Sequence, residues 1–329
     1  MKTLIIGNRQ RSEKYMPDNA FTRSMEKIYV PLGENDETIL RLASDVQFIQ
    51  VDAIGEVSAR LIENMPNLKL IHSEGVGYNG IDVEAAANRG VIVCNNKGIN
   101  AKAVAEQTLL LMLGLLRTVT EGDRMVRAGM QIQMKERRML EGIAELADCK
   151  VGIIGFGDIG REVASLLCAF GCEIYYYSAH KKDDATEQKY GVRYMQLKTL
   201  LNTCDFVSLH APVTPDTREM VNDEFLGLMK PGSYLINTAR GELVNNAALC
   251  RALTEGRIAG AGLDTVAPEP VTSDNPLLGL PEETAGKILF SPHLGGITTS
   301  TFKRGFINIW KAFEDVSEGR RPQNIVNGL

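Results

Sequence analysis

The tightest constraint on the fold is a short apolar run at residues 151–154 that leads without a spacer into Gly155-Phe156-Gly157-Asp158-Ile159-Gly160. Residues 161–170 follow at once, with Val163, Ala164, Leu166 and Leu167 spaced to pack a helix on a sheet, and Gly171 closes the segment. A strand, a tight glycine turn and an immediate helix start make a pyrophosphate site, because the helix N-terminus presents unpaired N–H groups to an anion. Residues 155–160 are therefore read as the dinucleotide loop. A second G-x-G-x-x-G, Gly75-Val76-Gly77-Tyr78-Asn79-Gly80, also follows an apolar run. There Ile81 and Asp82 intervene before the helical pattern, and the next strand pattern, 91–94, begins too soon for a crossover helix of normal length. That loop is read as having another task.

The remainder of the chain repeats the same alternation of short apolar strands and amphipathic helices, which predicts an α/β protein with parallel sheets. Strands are expected at 3–6, 46–50, 68–72 and 91–94, and in a second series at 151–154, 173–177, 205–209, 234–237, 261–263 and 288–290. Helical patterns cover 58–64 and 83–88, a long segment from Asn100 to about Met130, and a final stretch at 299–318. Long helices bracket the second series. The expected architecture is two Rossmann-like or flavodoxin-like domains, a cofactor domain (100–294) inserted into a discontinuous substrate domain (1–99 plus 295–329).

A net charge of -5 over 329 residues gives no electrostatic reason to expect a polyanion, so no nucleic-acid partner is expected. The six cysteines contain no C-x-x-C pair, and the four histidines show no zinc spacing, so no metal is expected and the thiols read as buried and reduced. The start, Met1-Lys2-Thr3-Leu4-Ile5-Ile6-Gly7, reads as a strand rather than a signal peptide. The longest apolar stretch, 109–116, is far short of the ~20 residues of a membrane span. A cytoplasmic protein without a membrane partner is the expectation.

The strand after the dinucleotide loop ends Tyr176-Tyr177-Ser178-Ala179-His180-Lys181-Lys182. An NAD-selective site usually places a carboxylate here for the ribose 2′-hydroxyl. A hydroxyl followed by basic groups suits a 2′-phosphate, with Lys181 or Lys182 to pair with it. NADP(H) is the expected cofactor, with NAD(H) as the alternative. Hydride addition to a ketone makes an alkoxide and needs a proton donor. His72 and His210 end strands as packing or supporting groups, and His180 lies beside the expected 2′-phosphate. His293, in Ser291-Pro292-His293-Leu294-Gly295, follows a strand and is the best-placed acid. Arg240, just after strand 234–237, reads either as an anion binder or as a surface charge. Glu269, between Pro268 and Pro270, reads either as a carboxylate aimed at the His293 imidazole, which would orient the ring and favour its charged form, or as a solvated loop carboxylate.

Several segments, in order, resemble the D-isomer-specific 2-hydroxyacid dehydrogenases over nearly the whole chain. They are Gly75-Val76-Gly77, Val104-Ala105-Glu106-Gln107-Thr108, residues 151–160, His210-Ala211-Pro212-Val213-Thr214, Asn237-Thr238-Ala239-Arg240-Gly241, Gly262-Leu263-Asp264, Glu269-Pro270 and Ser291-Pro292-His293. The resemblance implies hydride transfer between a nicotinamide cofactor and a small 2-keto or D-2-hydroxy acid. It implies that Arg240 binds the substrate carboxylate, that His293 held by Glu269 is the acid/base, and that the amides of Val76 and Gly77 grip the carboxylate. Asp264 would bind the nicotinamide carboxamide, and Pro212, Thr214, Thr238 and Ala239 would line the cofactor cleft. It also implies a homodimer through the cofactor domain. Ser178 departs from the acidic residue of NAD-using members, and Gln107 and Met130 stand where many relatives have histidine and tryptophan. No regulatory domain is expected after Leu329. Formate or phosphonate dehydrogenases and the C-terminal-binding-protein corepressors share this architecture and remain as alternatives.

Overall fold

The computed structural model describes residues 1–329. The chain divides into two compact units, Met1–Ile99 with Thr298–Leu329, and Asn100–Ile297. The return to the first unit falls three residues later than the sequence pattern suggests. No single helix is long and apolar enough to cross a membrane.

The first unit holds a five-stranded parallel sheet of β1 (Lys2–Ile6), β2 (Glu26–Val30), β3 (Phe48–Val51), β4 (Leu70–Ser73) and β5 (Ile92–Cys94), in the order β2-β1-β3-β4-β5. β1, β3 and β4 are almost entirely buried because helices cover both faces, which is why they read as unbroken apolar runs. One face packs on the C-terminal helix through Trp310 and Phe313, the latter stacked on Phe48 at 4.8 Å between ring centroids. The chain end stays with this unit: the Val326 amide donates to the Val93 carbonyl at 2.9 Å.

The second unit holds seven parallel strands: β6 (Lys150–Ile154), β7 (Glu173–Tyr177), β8 (Val192–Tyr194), β9 (Phe206–Leu209), β10 (Tyr234–Asn237), β11 (Gly260–Leu263) and β12 (Ile288–Phe290). Their order is β12-β11-β10-β9-β6-β7-β8. The chain first winds outward from β6 to β8 and then returns to start again at β9. The β6/β9 boundary is thus a topological switch point, where a crevice opens at the carboxyl ends of the strands.

The long helix expected from Asn100 to Met130 is instead broken. Helix α1 (Ala101–Leu116) ends at Arg117, Thr118 takes a left-handed φ of 47°, and α2 (Val119–Arg127) and α3 (Gln131–Glu141) follow. The cause is packing. α1 buries Leu109, Leu111, Met112, Leu115 and Leu116, several of them against Val151, Ile153 and Ile236 of the sheet, whereas α2 buries nothing and α3 only Met134. Past Leu116 no sheet contact holds the helix to one axis, and the β-branched run Thr118-Val119-Thr120 is a weak propagator.

Candidate active site

The glycine turn after β6 sits at the switch point, and its geometry explains each glycine. Gly155 has φ 94°, and a Cβ there would lie 2.5 Å from the His210 carbonyl oxygen, so only glycine lets the turn back onto the end of β9. A Cβ on Gly160 would meet the Gly155 oxygen at 2.3 Å, so glycine also sets the close approach of helix α4 (Asp158–Phe170) to the strand. A Cβ on Gly157 would meet nothing within 4 Å. That open side borders the first turn of α4, whose N-cap has no side-chain hydrogen bond. Orphan amides beside free space, at the positive end of a 13-residue helix, fit a pyrophosphate.

Three neighbouring strands, β10, β11 and β12, deliver the chemistry-bearing side chains from their carboxyl ends. Arg240 lies three residues past β10, Glu269 six past β11 and His293 three past β12. The buried Asn237 side chain shapes the first of these turns, donating from Nδ2 to the Arg240 carbonyl at 2.9 Å and accepting from the Ala239 amide at 3.0 Å. The exposed Arg240 guanidinium donates from Nη1 to the Ala239 carbonyl at 2.7 Å and makes no ion pair. Gly241 brings that turn against the next loop, since a Cβ there would lie 2.2 Å from the Ala267 nitrogen. Asn246 and Asn275 each donate to the Ala267 carbonyl, at 2.7 and 3.1 Å, fixing the base of the Glu269 loop. Both asparagines escape sequence reading, because nothing local to them signals a partner elsewhere in the chain.

His293 Nδ1 lies 2.9 and 3.0 Å from the two Glu269 carboxylate oxygens. A carboxylate at Nδ1 keeps a proton on that nitrogen, so Nε2 is the atom left to exchange a proton with a ligand. The other strand-end histidines differ. Burial pushes His72 down to about 4 and His210 down to about 3, so both are neutral near pH 7. His72 Nδ1 meets the Ser73 carbonyl at 2.8 Å, and His210 Nε2 meets the Ser208 hydroxyl at the same distance. Thiol chemistry is equally remote: burial pushes Cys94 and Cys204 up to about 12 and Cys149 and Cys172 up to about 11. Cys168 is exposed, contrary to the expectation of buried thiols, and all six are unpaired.

At the end of β7 the Ser178 hydroxyl donates to the His180 carbonyl at 2.6 Å, and the Lys182 amide donates to the Tyr176 hydroxyl at 2.8 Å. Lys181 Nζ lies 3.9 Å from both Asp184 and Glu187, whereas Lys182 makes no ion pair. Pro212 and Thr214 lie in the turn after β9, tied together by Thr217, whose hydroxyl donates to the Pro212 carbonyl at 2.7 Å and accepts from the Thr214 amide at the same distance. Thr238 is buried, its hydroxyl 2.9 Å from that of Thr108 on α1. Asp264 is also buried, and its carboxylate accepts hydrogen bonds from the turn that carries His293. In the first unit, Gly75 is glycine because a Cβ would lie 2.6 Å from the Ala53 Cβ. The Val76 and Gly77 carbonyls are taken by Asn95 and Ser73 side chains, and their amides donate to no protein group.

Comparison with known proteins bears on the whole arrangement. Residues 109–295 match the family described as D-isomer specific 2-hydroxyacid dehydrogenase, NAD binding domain. The glyoxylate reductase of Thermococcus litoralis is 34% identical over 326 residues, covering 95% of each chain. The hydroxypyruvate reductase of Thermotoga maritima is 35% identical over 86% of this chain and 89% of its own. Among solved structures, D-lactate dehydrogenase from Aquifex aeolicus, complexed with NAD and lactic acid, is similar with a TM-score of 0.78 at 28% identity, covering 96% of each chain.

Proposed function

Because the chain belongs to the D-isomer-specific 2-hydroxyacid dehydrogenase family and is an enzyme of that class, we propose that it reduces a small 2-keto acid of the glyoxylate or hydroxypyruvate type, with NADPH as its preferred cofactor. The observation that carries this reading is the delivery of Arg240, Glu269 and His293 from three adjacent strand ends, with His293 Nδ1 held by Glu269. Bound nicotinamide supplies the hydride in reduction and accepts it in oxidation. Arg240 binds the substrate carboxylate through its planar fork and polarises the neighbouring carbonyl. His293 gives a proton from Nε2 to the carbonyl oxygen during reduction and takes it back during oxidation, while Glu269 keeps the ring oriented. In the first unit, the free amides of Val76 and Gly77 are a separate candidate for gripping a carboxylate. Gly155, Phe156, Gly157, Asp158, Ile159 and Gly160 hold the pyrophosphate, and Pro212, Thr214, Thr238 and Ala239 line the cofactor site beside them.

The preference for NADPH rests on the end of β7. Ser178 repels no phosphate, His180 is exposed, and Lys182 has no competing carboxylate; Lys181 is the weaker candidate because Asp184 and Glu187 already draw it. Ser178→Asp should move the NADPH/NADH ratio of kcat/KM toward NADH by about tenfold, one charge-assisted contact being replaced by repulsion. An unchanged ratio in that variant would remove Ser178 from cofactor choice.

The family activity is tested directly by following loss of NADPH and NADH absorbance, in parallel, against glyoxylate, hydroxypyruvate, pyruvate and phenylpyruvate. Turnover with the smaller acids and a faster NADPH reaction are expected. Silence across the panel with intact dinucleotide binding would favour a sensor or an unusual substrate.

A homodimer through the second unit completes the proposal. Helices α2 and α3 leave Val126, Ile132, Met139 and Leu140 exposed, Leu140 at 90%, and so much unburied apolar surface on two packed helices is characteristic of an interface. Leu140→Glu should shift sedimentation from dimer to monomer at micromolar protein. A wild-type monomer, or an unaffected variant, would count against this face.

A further inference from the structure

Glu269 is not the only group that holds His293. The histidine has a left-handed backbone, φ 54°, a conformation disfavoured for a residue with a Cβ. Asp264 accounts for its persistence. The Asp264 carbonyl accepts from the His293 amide at 2.8 Å, its Oδ1 accepts from the Ser291 hydroxyl at 2.5 Å and the Leu294 amide at 3.0 Å, and its Oδ2 accepts from the Gly295 amide at 2.8 Å. The side chain is buried, so these bonds to a carboxylate form away from competing water. A Cβ on Gly295 would lie 2.8 Å from Oδ2, which is why the turn can close so tightly.

The network does not stop at Asp264. Gln107 Nε2 donates to the Ser291 hydroxyl oxygen at 2.9 Å. A serine hydroxyl has one proton to give, so accepting from Gln107 leaves that proton for Asp264. Gln107 reaches Ser291 because α1 lies unusually close to the sheet: a Cβ on Gly114 would lie 2.5 Å from the Leu289 side chain, and one on Gly262 would lie 2.9 Å from Leu111 Cβ. Two glycines thus set the height of the helix, and its neighbouring residues Gln107 and Thr108 reach the ends of β12 and β10 respectively.

We propose that Gln107 is a positioning residue of the reaction: through Ser291 and the Asp264 carboxylate it fixes the turn 291–295 and so aims the Nε2 edge of His293. The inference rests on the reading of His293 as the acid/base. Its separate content is that a residue of helix α1, acting through Ser291 and Asp264, controls the proton step.

Gln107→Leu keeps the volume of the side chain and removes the donor. Its kcat should fall about tenfold, the loss expected for one part-buried hydrogen bond, while the KM for NADPH stays unchanged. The solvent deuterium isotope effect on kcat should rise as proton transfer becomes more limiting, and the imidazole NMR signals of His293 should shift or broaden. Gln107→His restores an N–H donor of similar reach and should recover most of the rate. Ser291→Ala cuts the same chain one link further on, should reproduce the loss, and carries the test should Gln107→Leu fold poorly. Wild-type kcat, isotope effect and His293 signals in Gln107→Leu, or in Ser291→Ala where that variant carries the test, would overturn the proposal. His293→Ala, measured alongside, tells the two readings apart. Retained turnover there removes the acid/base assignment itself, whereas an inactive His293→Ala beside unaffected Gln107 and Ser291 variants removes only the positioning role.

Discussion

Replacing His293 with alanine is expected to lower kcat for keto-acid reduction by about three orders of magnitude, the middle of the range for loss of a positioned general acid, with NADPH affinity unchanged. The two halves of this expectation come from different parts of the second unit. Cofactor binding is assigned to the glycine turn after β6 and the start of α4, where no backbone or side-chain contact involves His293. The two buried strand-end histidines do not replace it as a proton source. His72 and His210 are held neutral near pH 7 by burial, and Cys149, Cys172 and Cys204 precede β6, β7 and β9, at the opposite ends of the strands from His293. A neutral imidazole far below its ordinary titration range is a poor acid for an alkoxide, and both of these rings already use a nitrogen in internal hydrogen bonds. Single-turnover reduction rates and NADPH fluorescence titrations on the same preparation separate chemistry from binding. Turnover near the wild-type rate would sink the assignment of the acid.

What could be read in advance was mostly what repeats locally. The buried strands of both sheets were legible because each is a short apolar run, and the dinucleotide loop was legible because strand, glycines and helix are contiguous. Two strands, β2 and β8, went unread for a shared reason: each lies at the edge of its sheet, and their sequences, Glu26-Lys27-Ile28-Tyr29-Val30 and Val192-Arg193-Tyr194, carry charge within a short strand. Edge strands are exposed on one side and tolerate such residues. The break at Thr118 was hidden because helical periodicity continues across it, and only the loss of sheet packing beyond Leu116 marks the point.

The site divides in the same way. Arg240, Glu269 and His293 were accessible because each follows closely on a recognisable strand, and the Glu269–His293 contact could be anticipated from their positions at strand ends. The support behind them was not accessible. Asn246 and Asn275 holding Ala267, and Gln107 holding Ser291, depend on how near one backbone passes another, and that distance is set by Gly241, Gly114 and Gly262. A glycine in a sequence does not say what approaches it. Asp264 shows the limit most clearly: it follows β11 directly, yet its carboxylate is engaged on the turn 291–295, which no local pattern foretells.

Arg240→Lys is the second large expected effect, and it tests the anion-binding half of the site as His293→Ala tests the acid. The guanidinium spends one N–H on the Ala239 carbonyl and has no carboxylate partner in the protein, so four of its five donors remain for a ligand. A 2-keto acid offers coplanar carboxylate and carbonyl oxygens, and a planar fork can meet both at once. Lysine keeps the charge but presents a point donor that cannot span the two. The expected result is a fall of about two orders of magnitude in kcat/KM for glyoxylate and hydroxypyruvate, equivalent to about 2.7 kcal/mol of transition-state stabilisation. It should appear in kcat as well as KM, because polarising the carbonyl matters more as negative charge develops on oxygen. NADPH affinity should not change, since the residues assigned to the pyrophosphate lie on a different strand end. If Arg240→Lys left both constants intact, the substrate carboxylate would have to be held without Arg240. The unpaired charge of Arg240 at the end of β10 would then need another explanation.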